Sequence, residues 1–249
     1  MNILVLMAGS SEQFREAGYA YPKSLVEIDG IPVIERVVND LGSLRTPDND
    51  FIFVIRKDEN QRFHIGDILH LLLPASRVVE ANTDTGGAAC SALLAIEQID
   101  NDQALFIVNG DQIIDIDLAE ALAGFRLAGL DGGVIVFQAV HPRWSYVKCN
   151  DDGYVIEAAE KRPISHFATA GAYYFARGAD FVTAAMTMIR KDAHVDGNFY
   201  ICPTFNEMIL EQQKIGVHLI PSTAYFSLMT PQLLQRYEDH LLRKTEVMP

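Results

Sequence analysis

The chain has 249 residues, of which 49% are hydrophobic and 21% charged, and its formal net charge is −13. Such a composition is ordinary for a soluble globular protein, and the acidic balance argues against a nucleic-acid binder, which needs a basic face. No apolar stretch reaches the roughly 18 residues that a membrane helix needs, and the first apolar run is too short for a signal peptide. The three widely spaced cysteines, Cys90, Cys149 and Cys202, indicate reduced thiols. We therefore expect a cytoplasmic protein that binds neither nucleic acid nor membrane.

The first half of the chain alternates between two kinds of apolar pattern. Short apolar runs predict buried strands at 3–7, 51–55, 78–81 and 104–108. Apolar residues at helical spacing predict helices at 31–42, 60–73 and 87–99. This alternation predicts an α/β fold with a Rossmann-like, mostly parallel sheet that carries helices on both faces. Ligands bind such sheets at the carboxyl ends of the strands, and Gly9, Gly86 and Asp111 follow predicted strands directly or closely.

The second half is richer in strands. Strands are predicted at 133–140, 146–149, 154–159, 168–175 and 217–220, and helices at 179–190, 203–213 and 231–244. The sequence Asp151-Asp152-Gly153 is typical of a hairpin turn. These strands predict a mixed β region that flanks the parallel sheet. Because no linker separates the two halves, we expect a single domain over residues 1–249.

The loop after the first strand reads Met7-Ala8-Gly9-Ser10-Ser11, and Lys23 follows it with Pro22 at its side. Small residues let backbone N–H groups approach an anion closely, and the lysine adds a full positive charge. Together they suit a polyphosphate. The alternative is a tight turn with a solvated lysine.

Two further loops follow predicted strands. Asn109-Gly110-Asp111 ends a buried strand, and a carboxylate beside a glycine suits Mg²⁺, which prefers one or two carboxylates plus substrate phosphates. The alternative for Asp111 is a turn or helix N-cap. Thr85-Gly86-Gly87 precedes a helix, so a nucleobase or phosphate can lie against its backbone, unless the pair is a plain helix start.

The last pattern is Glu160-Lys161, followed by the segment Ala170-Gly171-Ala172. A glutamate–lysine pair at a strand end can bind a sugar hydroxyl and a phosphate. As a lone pair it is more often a surface ion pair of little energetic value.

The order of these patterns resembles that of the sugar-1-phosphate nucleotidyltransferases, also called sugar-nucleotide pyrophosphorylases. The matching residues cover nearly the whole chain in the family's order: Ala8-Gly9, Pro22-Lys23, Gly86-Gly87, Gly110-Asp111, Glu160-Lys161 and Thr230-Pro231. The stretches AGYAYPKSLVEIDGIPVIERVV, HPRWSYVK, AEKRPISHFATAGAYYF and FYICPTFNEMI are similar to the branch found in bacterial capsule and surface-polysaccharide loci. The resemblance implies a nucleotide-diphospho-sugar transferase-like fold in which residues 1–130 bind nucleotide and residues 131–249 bind the acceptor.

The resemblance also implies a reaction. A nucleoside triphosphate, CTP, UTP or dTTP, is joined to a small phosphorylated acceptor with Mg²⁺ and release of pyrophosphate. Lys23 and Asp111 are then the catalytic pair, and Asp111 holds the metal. The implied nucleotide contacts are Met7, Ala8, Gly9, Ser10, Ser11, Lys23, Thr85, Gly86, Gly87, Asn109 and Gly110. The implied acceptor contacts are Tyr146, Glu160, Lys161, Gly171 and Asp196. Because this family often forms dimers or tetramers, a homo-oligomer is also implied.

The chain departs from the family pattern at two places. The family's first loop has a second glycine and an arginine where this chain has Ser11 and Gln13, and Glu12 adds a negative charge. Arg15 is the candidate to replace the arginine as a catalytic cation. Near the end, the family's second magnesium-binding aspartate is Ser227. The alternative to an active enzyme is therefore a degenerate paralogue that acts as a nucleotide-binding or regulatory protein.

Overall fold

A computed structural model describes residues 1–82 and 84–247 of the chain, with side chains through residue 244. The strands within these residues are β1 (Asn2–Met7), β2 (Glu27–Ile28), β3 (Ile31–Pro32), β4 (Asp50–Arg56), β5 (Arg77–Ala81), β6 (Leu105–Asn109), β7 (Gln112–Ile114), β8 (Gly132–Gln138), β9 (Ser145–Cys149), β10 (Val155–Glu160), β11 (Phe167–Phe175), β12 (Ile215–Leu219) and β13 (Tyr225–Ser227). The helices are α1 (Glu12–Glu16), α2 (Val33–Asp40), α3 (Lys57–Phe63), α4 (Ile65–Leu72), α5 (Ala88–Leu93), α6 (Ile96–Ile99), α7 (Leu118–Leu127), α8 (Gly178–Arg190), α9 (Thr204–Leu210) and α10 (Pro231–Val247).

One nine-stranded sheet takes strands from both halves of the chain. In the first half, β6, β1, β4 and β5 lie side by side and parallel. In the second half, β11 runs antiparallel to β6 and also pairs with β8 and β9, while β12 is parallel to β8. The prediction of a mostly parallel α/β sheet with a flanking mixed β region is confirmed.

The central strands are buried on both faces. In β1, Ile3 and Val5 belong to one apolar cluster and Leu4 and Leu6 to the other, because successive side chains point to opposite faces. Helix α2 packs in the first cluster, and α8 and α9 pack in the second. Strands covered on both faces read as continuous apolar runs, which is why these strands are visible in the sequence.

Two predicted helices are each divided in the structure. The helix predicted at 60–73 is α3 followed by α4, because His64 between them has a left-handed backbone with φ of 56°. The helix predicted at 87–99 is α5 followed by α6. Helix α7 was not predicted, although Asp117 caps it by accepting the backbone N–H groups of Ala119 and Glu120.

Within the described residues, no helix combines the length and apolarity needed to cross a membrane.

Candidate active site

Lys23 and Asp111 form an ion pair between two loops that are far apart in the sequence. The Lys23 Nζ donates to the Asp111 Oδ2 at 2.6 Å. Lys23 is fixed by its backbone N–H, which donates to the Ser11 hydroxyl at 3.1 Å. Asp111 follows β6 at the edge where the carboxyl ends of β1, β4 and β6 meet. The two side chains are only 9% and 19% exposed, so both charges are sheltered from solvent.

The loop after β1 lies on one side of this ion pair. Met7 is buried at the end of β1, and the Lys23 Nζ lies 2.9 Å from the position that a Cβ on Gly9 would take. Ser10, Ser11 and Arg15 line a cavity with Pro22, the neighbour of Lys23. Its other lining residues include cations and acids: Arg56, Arg62, Asp58 and Glu59. Arg15 therefore faces the same space as the loop serines.

Acidic residues offset part of the positive charge of this loop cavity. Arg56 is paired with Asp58 at 3.0 Å and with Asp84 at 2.5 Å. Burial raises the pKa of the Glu59 carboxyl, and the hydroxyl of Ser11 opposes that shift. Arg15 and Arg62 are the cations of this cavity that make no ion pair within the described residues.

A second cavity is lined by Asp111, the acidic partner in the ion pair. It contains five of the predicted site residues: Asn109, Asp111, Glu160, Lys161 and Gly171. Ala88, directly after the Gly86-Gly87 turn, also lines it. We call this second cavity the acceptor cavity, because most of its lining residues belong to the second half of the chain, and we call the cavity lined by Ser10, Ser11 and Arg15 the loop cavity.

Glu160 and Lys161 are held by neighbours in the acceptor cavity. Glu160 ends β10 and accepts a short hydrogen bond from the Ser145 hydroxyl across the β9–β10 pair. Burial raises the pKa of the Glu160 carboxyl. Lys161 has a φ of 53°, a left-handed backbone that is uncommon for a non-glycine residue and typical of functional sites. Its Nζ pairs with Asp196 at 3.0 Å and lies 5.5 Å from the centre of the Tyr200 ring.

The Gly86-Gly87 turn is closed by protein backbone. The Phe199 N–H donates to the Gly86 carbonyl at 2.7 Å, and the Ala89 N–H donates to the Phe199 carbonyl at 3.0 Å. Gly87 has a φ of 108°, and a Cβ there would lie 2.4 Å from the Phe199 carbonyl oxygen. The glycine at 87 is required by this contact with the segment that also carries Asp196 and Tyr200. Thr85 donates to the Gly87 carbonyl at 3.2 Å and stabilises the turn.

Gly87→Ala is expected to destabilise the protein by about 2–4 kcal/mol, because the added Cβ meets backbone and the residue would be strained at positive φ. The midpoint of urea unfolding measures the effect. Gly42→Ala is the matched control, since a Cβ at Gly42 meets nothing within 4 Å and its φ is not positive. Equal stability of the two variants would contradict the packing of Phe199 on the turn.

Tyr146 does not line the acceptor cavity, which corrects the expectation that it contacts the acceptor. Its side chain is fully buried, and its hydroxyl donates to the His141 carbonyl at 2.7 Å. An aromatic residue in β9 points into the core because the pleat turns that face of the sheet inward. Tyr146 instead anchors the loop between β8 and β9, which carries Arg143 and Trp144.

Gly171 and Gln112 close the floor of the acceptor cavity. Gly171 has a φ of 62°, and a Cβ there would lie 2.3 Å from the Asn109 Nδ2 and 2.6 Å from the Gln112 Oε1. The buried Gln112 side chain donates to the Ala170 carbonyl at 2.6 Å. The sequence offered no signal for Gln112 beyond its position directly after Asp111.

One wall of the acceptor cavity is aromatic and was not predicted from the sequence. Trp144 and Tyr225 line it with their ring centres 5.6 Å apart, and the Tyr225 ring also stacks on Phe137 at 4.7 Å. Arg143 lines the same cavity. The sequence feature that could have indicated this wall is the pair Arg143-Trp144, a cation next to an aromatic residue just before β9.

Ser227 lies beside Asp111. The Leu228 N–H donates to the Asp111 carbonyl at 2.7 Å, and Ser227 pairs with Gln112 across β13 and β7. The position where the family has its second aspartate is therefore in the site, with a hydroxyl in place of a carboxylate. Gln13 lies exposed in α1, and Asp196 is engaged with Lys161. Within the described residues, no cluster of three or more histidine, cysteine or carboxylate side chains is suited to hold a metal.

Two curated proteins, both called bifunctional protein GlmU, are similar to 70% of this chain. A bifunctional protein GlmU from Methanocaldococcus jannaschii is 27% identical over 178 residues, which are 70% of this chain and 40% of that protein. The GlmU of Methanococcus aeolicus is 24% identical over 182 residues, with the same coverage of 70% and 40%. The chain thus spans about 40% of the length of these curated relatives.

Solved structures extend the likeness to the whole fold. The nucleoside-diphosphate-sugar pyrophosphorylase from Vibrio cholerae superposes with a TM-score of 0.84 at 26% identity, covering 95% of this chain and 99% of that chain. A Bacillus anthracis structure described as a glucose-1-phosphate thymidylyltransferase shares the fold, with a TM-score of 0.74 at 19% identity over 96% and 94% of the two chains.

The sequence profile of the family described as Nucleotidyl transferase matches residues 2–210, which contain Lys23, Asp111, Glu160 and Lys161. The resemblance drawn from the sequence is confirmed at the level of this family. The chain belongs to the nucleotidyltransferase family.

Proposed function

We propose that the chain joins CTP, UTP or dTTP to a small phosphorylated acceptor, a sugar 1-phosphate or a related compound, and releases pyrophosphate. The observation that carries this proposal is the sheltered Lys23–Asp111 ion pair at 2.6 Å. Asp111 lines the acceptor cavity, and Ser11, which accepts the Lys23 backbone N–H, lines the loop cavity. The triphosphate lies along the loop cavity and the acceptor lies in the acceptor cavity. The reacting atoms then meet at the ion pair.

The donor set fits Mg²⁺. Asp111 offers one carboxylate that lines the acceptor cavity, and Mg²⁺ is usually held by one or two carboxylates together with substrate phosphates. When bound, Mg²⁺ would supply charge neutralisation on the phosphate oxygens. Asp111 would hold it, and Ser227 beside Asp111 contributes a hydroxyl and no charge.

The chemistry needs positioning more than covalent help. A phosphate oxygen of the acceptor attacks the α-phosphorus of the triphosphate, a new P–O bond forms, and the bond to the bridging oxygen of pyrophosphate breaks in line. Lys23 would exchange its carboxylate partner for triphosphate oxygens, and the N–H groups near Gly9 and Ser10 would bind the β- and γ-phosphates, with Arg15 as the nearby cation.

The acceptor is held from the opposite side. Lys161 would bind the acceptor phosphate, and Glu160 would accept hydrogen bonds from hydroxyl groups. Asp196 acts through Lys161 in this scheme, since it pairs with that ammonium at 3.0 Å. The stretches shared with enzymes of capsule and surface-polysaccharide loci support a role in making precursors for such polymers.

A screen for pyrophosphate release tests the proposed function. CTP, UTP and dTTP are each incubated with Mg²⁺ and a panel of sugar 1-phosphates and other phosphorylated compounds, and release is measured by a coupled assay. We expect release with at least one pair, dependent on both substrates. Calorimetric binding of a nucleotide without release across the panel would instead favour a regulatory nucleotide-binding protein.

Restoring the family's residues is expected to strengthen the site. Ser227→Asp adds a carboxylate beside Asp111, and Gln13→Arg adds a guanidinium next to the phosphate loop. Each charge-assisted contact contributes on the order of 1.5 kcal/mol, so the double variant, with two such contacts, should bind nucleotide with Mg²⁺ on the order of 100-fold more tightly. Calorimetry measures the affinity.

Ser222→Asp is the charge-matched control for the Ser227→Asp part of this restoration, because Ser222 lies earlier in the same segment, just before β13. It should leave nucleotide affinity unchanged. Suppose that the double variant binds nucleotide no more tightly than the wild type, and that the wild type turns over at an ordinary rate. Gln13 and Ser227 would then be adapted to this chain's own substrates. Asp196→Asn should then be damaging.

A further inference from the structure

The loop between β8 and β9 is held rigidly against the acceptor cavity. The buried Tyr146 hydroxyl donates to the His141 carbonyl at 2.7 Å, and the Arg143 N–H donates to the His141 Nδ1 at 3.2 Å. The Trp144 carbonyl accepts the Lys161 N–H at 3.1 Å. The loop is thereby fixed to both the core and the residue proposed to bind the acceptor phosphate, so its side chains have defined positions in the cavity.

Arg143 is placed as an anion ligand. Its guanidinium carbon lies 4.4 Å from the centre of the Trp144 ring, and Trp144 in turn packs edge-on against Phe137 and Tyr225. A guanidinium stacked on an aromatic face keeps its N–H donors at its edge, where they match a carboxylate or phosphate bidentately. The ring stack thus orients Arg143 without consuming its hydrogen-bonding capacity.

The charges of the cavity leave Arg143 without a counter-ion. Four charged residues line it: Asp111, Arg143, Glu160 and Lys161. Lys161 is paired with Asp196, and Asp111 is paired with Lys23. Glu160 accepts a hydrogen bond from the Ser145 hydroxyl and, in the part of the chain that the structure describes, makes no ion pair with Arg143. Within the described residues, Arg143 makes no ion pair, and its one hydrogen bond there comes from its backbone N–H. A cation at the wall of a concave site with its donors free points to an anionic ligand.

We propose that Arg143, stacked on Trp144, binds a second anionic group of the acceptor, distinct from the phosphate that accepts the nucleotidyl group. This inference rests on the proposed function, because it assigns the reacting phosphate to Lys161 and the metal side of the cavity. The acceptor class it names is a phosphorylated acid, such as a phosphorylated hydroxy acid or a uronic acid 1-phosphate. Phosphorylated neutral sugars and polyols would lack the partner that Arg143 requires.

Two matched pairs of probes test the proposal by binding alone. 3-Phosphoglycerate is compared with glycerol 3-phosphate, and glucuronic acid 1-phosphate with glucose 1-phosphate, because each pair differs by a carboxylate in place of a hydroxymethyl group. Binding to the full chain is measured by calorimetry with Mg²⁺, and by the fluorescence of Trp144, the chain's single tryptophan. In at least one pair, the acid should bind about tenfold more tightly than its neutral partner.

Variants at the loop complete the test. Arg143→Gln should abolish the preference, so that the acid binds no more tightly than its neutral partner, and Arg143→Lys should retain part of the preference because the charge remains without the planar fork. Arg190→Gln at the end of α8 makes the same change of net charge and should keep the full preference.

Three results would overturn the proposal: equal binding of acid and neutral partners by the wild type, a preference that survives in Arg143→Gln, or no binding of either acid at concentrations of about 10 mM, far above ordinary substrate affinities. The proposed function fails separately, by the absence of pyrophosphate release from every acceptor. Tighter binding of the acid without pyrophosphate release would support the Arg143 subsite and contradict the proposed reaction. Pyrophosphate release with neutral acceptors alone would support the reaction and contradict the subsite.

Discussion

Asp111→Asn is expected to abolish magnesium-dependent nucleotidyl transfer. The amide keeps the shape of the side chain but removes the negative charge that holds Mg²⁺ at the end of β6. Because the metal would neutralise phosphate oxygens at the reacting centre, the loss in kcat should be on the order of 1,000-fold or more. Steady-state pyrophosphate release at saturating nucleotide measures the effect.

Two measurements separate this loss from misfolding. Asp111→Asn leaves the Lys23 ammonium sheltered without a counter-charge, which costs on the order of 1 kcal/mol of stability for a partly exposed pair. Thermal unfolding should show this modest change. Asp115→Asn is the matched control, since Asp115 pairs with Lys244 at 3.4 Å on the surface and should keep full turnover. Near-normal kinetics of Asp111→Asn would refute the metal assignment.

Lys23→Ala is expected to cost at least about 2 kcal/mol of transition-state stabilisation, roughly 30-fold in kcat/KM. The reason is position: the ammonium lies between Gly9 and Asp111, where the triphosphate and the acceptor would meet. Kinetics over a range of nucleotide concentrations measure the loss and divide it between kcat and KM.

Lys191→Ala is the control for Lys23→Ala, because Lys191 makes an equally short ion pair, 2.6 Å to Glu207, on the exposed end of α8. It should leave kcat/KM unchanged. If the two lysine variants behaved alike, Lys23 would be a structural residue and its ion pair with Asp111 would not mark the reacting centre.

The sequence allowed the sheet to be predicted because its central strands are buried on both faces. Continuous apolar runs such as 3–7 and 51–55 have one physical explanation in a chain that alternates with helices. Helix boundaries were harder. The left-handed His64 that ends α3 is a single-residue event that apolar periodicity does not register. The N-cap of α7 could have been found from Asp117 followed by Glu120.

The site residues that could be predicted from the sequence are mainly those that lie at or directly after the end of a strand. Asp111, Glu160 and Lys161 were found in this way, and the structure brings them to one cavity. The reason for a glycine at 87 was beyond sequence reasoning, because the backbone that approaches it belongs to Phe199, more than a hundred residues away. Tyr146 points to the core because of the pleat of β9, and the resemblance to the family, which implied an acceptor contact, does not show which face of the strand a side chain takes.

The path of a radioactive label tests the central claim, transfer of a nucleotidyl group to a phosphorylated acceptor, most directly. Two reactions are run in parallel with the pair of substrates that releases pyrophosphate, one with nucleoside triphosphate labelled at the α-phosphate and one with the γ-phosphate labelled. We predict that the α-label appears in a product that also contains the acceptor, while the γ-label appears in pyrophosphate. An α-label found in free nucleoside monophosphate, or a γ-label found on the acceptor, would contradict the account.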